Sequence, residues 1–99
     1  MKIVWSPFAI QRVKEIRTQI RRDDPIVARE VVGIIFDRVM NLADFPNSGA
    51  KNPEAERKDI RQLVVKNHRI IYRIEKEVII VLTVRHSRQL VKSDGYVQK

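Results

Sequence analysis

The sequence predicts an α+β domain, with an N-terminal strand and a helical hairpin packed on a mostly antiparallel sheet in the order β-α-α-β-β-β. Three observations carry that reading. Apolar residues recur at helical spacing through the first half, strand-like runs fill residues 60–84, and a Ser-Pro and an Asp-Pro pair mark where each helix starts.

Ile3-Val4-Trp5 reads as a short opening strand, with Trp5 packing at the start of the sheet. Ser6 then offers an N-cap hydroxyl, and Pro7 sits at the first helical position, where its missing N–H costs nothing. Ala9, Val13, Ile16 and Ile20 form one apolar stripe, which predicts an amphipathic helix over about residues 7–22. Asp24 and Pro25 repeat the start signal. A second helix is expected to run to about Ala43, burying Ala28, Val31, Val32, Ile35, Val39 and Leu42. Ile34, Phe36 and Met40 widen its stripe and predict packing on two sides. The tight turn between the helices makes an αα-hairpin, a structural unit and not an active site.

Phe45-Pro46-Asn47-Ser48-Gly49 ends the second helix, and the polar stretch to about Asp59 reads as a loop. Ile60 to Lys66 is the next strand, with Asn67-His68 at a turn. Arg69 to Glu75 alternates, Ile70, Tyr72 and Ile74 on one face against Arg69, Ile71 and Arg73 on the other. Tyr72 is therefore expected in the core and not on a base-stacking platform. After a turn at Lys76, Val78 to Val84 is apolar except for Thr83, which predicts a central strand covered on both faces. The chain turns polar and basic from Arg85, and residues 89–99 read as a flexible tail of a single domain spanning 1–99.

Composition narrows the function. Cysteine is absent, which excludes disulfides and thiolate chemistry and fits a reducing cytoplasm. The N-terminus lacks a signal-peptide apolar region and the longest apolar run is too short to span a bilayer, so a cytoplasmic protein without membrane contact is expected. The net charge is +8, and its distribution is uneven. Residues 1–56 carry nine Lys/Arg against eight Asp/Glu, whereas residues 57–99 carry eleven against four. That asymmetry points to a polyanionic partner, either nucleic acid or an acidic protein segment.

Familiar catalytic motifs are missing. Gly33, Gly49 and Gly95 stand too far apart for a phosphate loop, and no nucleophile elbow is visible. His68 and His86 lack the spacing of a metal site, so neither metal nor cofactor is expected. What remains is a set of cations, Arg61, Arg69, Arg73, Arg85, His86 and Arg88, with Lys66 and His68 at a turn. Arginine forks suit phosphate, and a histidine titrates in the range needed for proton transfer. Metal-free RNA cleavage needs a base for the 2′-hydroxyl, an acid for the leaving oxygen and cations for the developing charge. The same cluster also suits an acidic peptide without any chemistry, and Arg61 suits an edge-strand charge that discourages sheet-to-sheet pairing.

Several stretches, taken in order, resemble the ParE/RelE toxin superfamily. They are Phe45-Pro46-x-x-Gly49, Ile60-Arg61-x-Leu63-Val64-Val65, His68-Arg69-Ile70-Ile71-Tyr72-Arg73-Ile74 and Val78-Ile79-Ile80-Val81-Leu82-x-Val84-Arg85-His86. The Asp-Pro turn and the hairpin with Ala28 fit as well, so the resemblance covers residues 2–88. It implies the toxin half of a type II toxin–antitoxin pair, wrapped by a cognate antitoxin in a hetero-oligomer. RelE-like members cleave mRNA on the ribosome, whereas ParE-like members poison DNA gyrase. In the ribonuclease branch the resemblance makes Arg69 catalytic, with Arg85 or His86, or else Arg88, supplying the C-terminal group. Arg61, Lys66, Arg73 and Arg88 are then the expected contacts to the target or nucleic acid. The base of that branch has no counterpart on residues 60–66, and Tyr96 lies further along than its terminal tyrosine. The Val84-Arg85-His86 ending resembles the ParE branch more closely. A member that binds antitoxin but has lost toxicity is the third expectation.

Overall fold

Each helix starts where its capping residue dictates. A computed structural model describes residues 1–51 and 59–86. Strand β1 (Lys2–Trp5) leads into helix α1 (Pro7–Asp23), and the Ser6 hydroxyl accepts the Ala9 N–H at 3.0 Å. The same hydroxyl donates to the Leu82 carbonyl at 3.1 Å, tying the start of α1 to the sheet. Asp24 alone separates α1 from α2 (Pro25–Asn41). Its N–H closes α1 on the Ile20 carbonyl at 2.9 Å, while its carboxylate accepts the Ile26 and Val27 N–H groups at 3.0 and 3.2 Å. One extended residue thus ends one helix and caps the next.

The remaining elements are β2 (Ala50–Lys51), β3 (Ile60–Val65), β4 (His68–Glu75) and β5 (Val78–His86). They join β1 in one sheet of order β1-β5-β4-β3-β2, antiparallel throughout except where β1 runs parallel to β5. The core lies between the hairpin and one sheet face. Ala9, Val13 and Ile16 of α1 and Ile35 and Val39 of α2 meet Leu63, Ile70, Tyr72, Ile79, Val81 and Val84. As its alternation predicted, Tyr72 is fully buried.

Several expectations are corrected. The loop after α2 contains β2, which pairs Ala50 with Gln62 and Lys51 with Arg61. His68 is not in a turn but begins β4, because the turn is made by Lys66 and Asn67. Phe36 and Met40 are 42% and 60% exposed, so α2 packs on one side, Phe36 meeting Trp5 at a centroid distance of 4.8 Å. β5 is interior to the sheet but covered on one face, since Val78, Ile80 and Leu82 are only half-buried. It also extends through His86. The tail expected over 89–99 lies outside the described residues.

The turns before β4 and β5 place Lys66 and Lys76 at φ 56 and 53, the left-handed region that a lysine Cβ disfavours. Lys76→Asn, better suited to that region, is expected to raise the unfolding free energy by about 0.5 kcal/mol, read as a higher urea midpoint.

Candidate functional surface

Strand alternation sorts the C-terminal cations onto two faces. β4 sends Ile70 and Tyr72 to the helices, which leaves Arg69, Ile71 and Arg73 on the uncovered face. Register extends that face: Arg69 lies opposite Arg85 on one side and Val64 on the other, while Arg73 lies opposite Ile80 and Ile60. No described helix covers it. The result is an apolar sheet surface crossed by three arginines.

Directly opposed like charges weaken a strand pair by roughly 0.2–1 kcal/mol, so the Arg69–Arg85 juxtaposition is a local rule broken. The arginines are only partly satisfied. Arg69 Nη1 donates to Gln62 Oε1 at 3.2 Å, and Arg73 Nη2 pairs with Glu75 Oε2 at 2.7 Å. The Nε of each is buried with no hydrogen-bond partner, as is the Thr83 hydroxyl, which sits on the strand position facing Ile71. Buried unmet donors are uncommon, and three on one surface mark a place where acceptors from outside would be favourable. The Arg73–Glu75 pair is partly open to solvent and contributes little to stability.

His86 is elsewhere. β4 and β5 shift register between Ile71 and Tyr72, so that Ile71 faces Thr83 but Tyr72 faces Val81. Leu82 is the extra residue of this bulge, and beyond it Val84 and His86 return to the helix side while Arg85 faces out. His86 therefore meets His68, with ring centroids 5.2 Å apart, at the floor of a groove beneath the tip of the helical hairpin. Burial, and then the neighbouring His86, hold the His68 imidazole below its ordinary pKa.

Arg61 points to the helix side, where Nη1 donates to the Gly49 carbonyl at 2.7 Å and reaches the Asn47 carbonyl at 3.5 Å. It braces the segment leading into β2. The Gly49 N–H donates to the Tyr72 hydroxyl at 3.0 Å, and that hydroxyl donates to the Pro46 carbonyl at 2.8 Å. Burial raises the Tyr72 pKa, with the Gly49 hydrogen bond and Arg61 opposing. Lys66 is exposed at the β3–β4 turn, on the rim of the histidine groove. Arg88 and Tyr96 lie outside the described residues. Sequence reading missed the Arg12 contact: its Nε donates to the Val84 carbonyl at 3.2 Å and so seals the edge of β5 beyond β1. Only its position on a helix among other cations was visible beforehand.

The described residues hold no cluster of three or more His, Cys, Asp or Glu that would bind a metal, and no described helix is long and apolar enough to cross a membrane.

Comparison with known proteins agrees with this architecture. A profile of the family described as ParE toxin of type II toxin-antitoxin system, parDE, matches residues 3–91. The Y4kP toxin candidate of Sinorhizobium fredii is 39% identical over 90 residues, which cover 89% of this chain and 90% of that protein. Among solved structures, the chromosomal ParDE system of P. aeruginosa matches with a TM-score of 0.73 at 22% identity, over 87% of this chain and 95% of that one. The RelBE2 toxin–antitoxin complex of Mycobacterium tuberculosis matches at 0.58 and 20% identity, over 86% and 95%. The YoeB dimer of Staphylococcus aureus matches at 0.57 and 15% identity, over 87% and 95%. At these identities the structural likenesses are of fold.

Proposed function

The chain belongs to the ParE toxins of type II toxin–antitoxin systems, and on that premise we propose that it arrests growth by binding and inhibiting DNA gyrase. The observation that carries this is the separation of the arginines from the histidines. Arg69 and Arg85 share the uncovered face, while His86 faces the helices beside His68. A general base must come within hydrogen-bond reach of the proton it removes, and the described outer face offers only Glu75, which is paired with Arg73. Cations amid apolar side chains, without an acid–base pair, suit a surface that holds a partner. In this reading Arg69, Arg73 and Arg85 engage the target and Lys66 and Arg88 flank it, whereas Arg61 supports the fold.

A cognate antitoxin is the second partner. The P. aeruginosa and M. tuberculosis relatives are a toxin–antitoxin system and a toxin–antitoxin complex, and an acidic segment of an antitoxin would satisfy the unmet donors of the outer face. The protein would then reside in the cytoplasm, silent as a hetero-oligomer and active when released. Purified toxin is expected to block supercoiling by purified gyrase and to leave mRNA uncut in a translating extract. Unimpaired gyrase at a large excess of toxin would sink this reading. Codon-position cuts lost in Arg69→Ala would establish the ribosome-dependent ribonuclease instead, with Arg69, Arg85 and His86 as its catalytic residues.

A further inference from the structure

The histidine groove lies on the helix side of the sheet, away from Arg69, Arg73 and Arg85, and it holds a buried titratable group. His68 opens β4, is only 6% exposed, and lies directly opposite His86, the last residue of β5. The two rings meet at 80°, with centroids 5.2 Å apart. His68 Nδ1 is buried and has no hydrogen-bond partner. A neutral imidazole tolerates this, because one ring nitrogen can stay unprotonated with its lone pair in apolar surroundings. An imidazolium does not tolerate it. Both ring nitrogens then carry N–H donors, and the Nδ1 donor would be buried without an acceptor beside another imidazole.

The surroundings strengthen the constraint. Ile16 and Ile20 of α1 and Val31 and Ile34 of α2 wall the groove, whose volume is about 960 Å³. Its charged groups are Asp23 of α1, Asp24 between the helices, Arg29, Glu30 and Asp37 of α2, and Lys66 of the turn. Carboxylates outnumber cations there, yet none of these groups accepts a hydrogen bond from the His68 Nδ1 atom. Arg69 and Arg85, next in sequence on each strand, lie on the opposite face.

We propose that the His68–His86 pair is an acid-sensitive latch, which clamps the ends of β4 and β5 under the hairpin tip while the buried His68 ring is neutral and releases them when that ring takes up a proton. Release frees the two strand ends that floor the groove and leaves the far end of the sheet, where β1 pairs with β5, in place. The device is independent of the toxin's target.

The sign follows from burial. His68 titrates below its ordinary value of 6.5, so the unfolded or opened chain binds the proton more readily. The closed state is favoured in full above about pH 6.5 and loses stability as pH falls below it, by up to about tenfold in the closing equilibrium per pH unit for one proton.

Hydrogen exchange on the full chain at pH 7.5 and 5.5, corrected for intrinsic rates, tests the latch. Protection of Ile70 and Val84 is expected to fall at pH 5.5, by up to about tenfold, while protection of Ile79 and Val81 is unchanged. His68→Phe, which cannot titrate, should abolish the difference. His86→Gln, which removes the neighbouring imidazole but keeps His68, should shrink it, and this second variant serves if His68→Phe does not fold. Equal protection of the wild type at both pH values would overturn the proposal. So would a uniform loss across both sheet ends, which would mark His68 as an ordinary buried histidine and not a latch.

Discussion

Gly49→Ala is expected to destabilise the protein by about 3 kcal/mol, a large share of the margin of a domain this size. The glycine is needed for space. A Cβ at this position would stand 2.6 Å from the Gln62 carbonyl oxygen, 2.6 Å from the Tyr72 hydroxyl and 2.9 Å from the Tyr72 ring. Backbone and a fully buried tyrosine cannot both give way. The chain must move off β3, and movement breaks the Gly49–Tyr72, Tyr72–Pro46 and Arg61–Gly49 bonds together. The melting temperature should fall by roughly 15 °C, measured by circular dichroism. Tyr72→Phe should cost about 1–3 kcal/mol by leaving the Pro46 carbonyl and Gly49 N–H without their partner. Combining the two should cost less than their sum, because one of the clashing atoms is gone. Full additivity would show that the lock is not a single unit.

Reversing charge on the outer face is expected to divide activity from stability. Arg85→Glu sets an opposite charge across from Arg69, replacing a repulsive pair with an attractive one, so stability should rise by roughly 0.2–1 kcal/mol. Target inhibition should fall in the same protein by about ten- to a hundredfold, equivalent to about 1.4–2.8 kcal/mol of lost binding. Arg69→Glu should show the same loss, and the double variant should be inert in cells when expressed without antitoxin. Undiminished growth arrest by the double variant would remove this face from the mechanism. Urea unfolding of each variant separates lost contact from lost fold.

Local rules carried the parts of the molecule that local chemistry decides. Both helices were legible because Ser6-Pro7 and Asp24-Pro25 announce their starts and Ala9, Val13 and Ile16 keep helical period. Arg69 and Arg73 shared a face on period two alone. Tertiary pairing decided the rest. β2 is two residues long and Ala50-Lys51 has no strand preference; it exists because Gly49 lets the chain come close to β3. His68 read as a turn residue beside Asn67, but a left-handed Lys66 moves the turn back by one position and frees His68 for the ladder. The site depended on the bulge. Uninterrupted alternation from Ile79 would place Arg85 under the helices and His86 beside Arg69; one extra residue at Leu82 exchanges them. No residue type in that apolar run signals the exchange.

The parallel seam between β1 and β5 has a consequence for how the protein is made. It sets Lys2 opposite Val78 and Trp5 opposite Val81, so a strand translated before the hairpin waits for one translated well after it. The hairpin can coil as soon as Asn41 has emerged, since its contacts are local. The sheet cannot close until β5 is out, and Arg85 reaches its place opposite Arg69 in that same final step. A nascent chain that has not yet released β5 therefore carries no assembled arginine face.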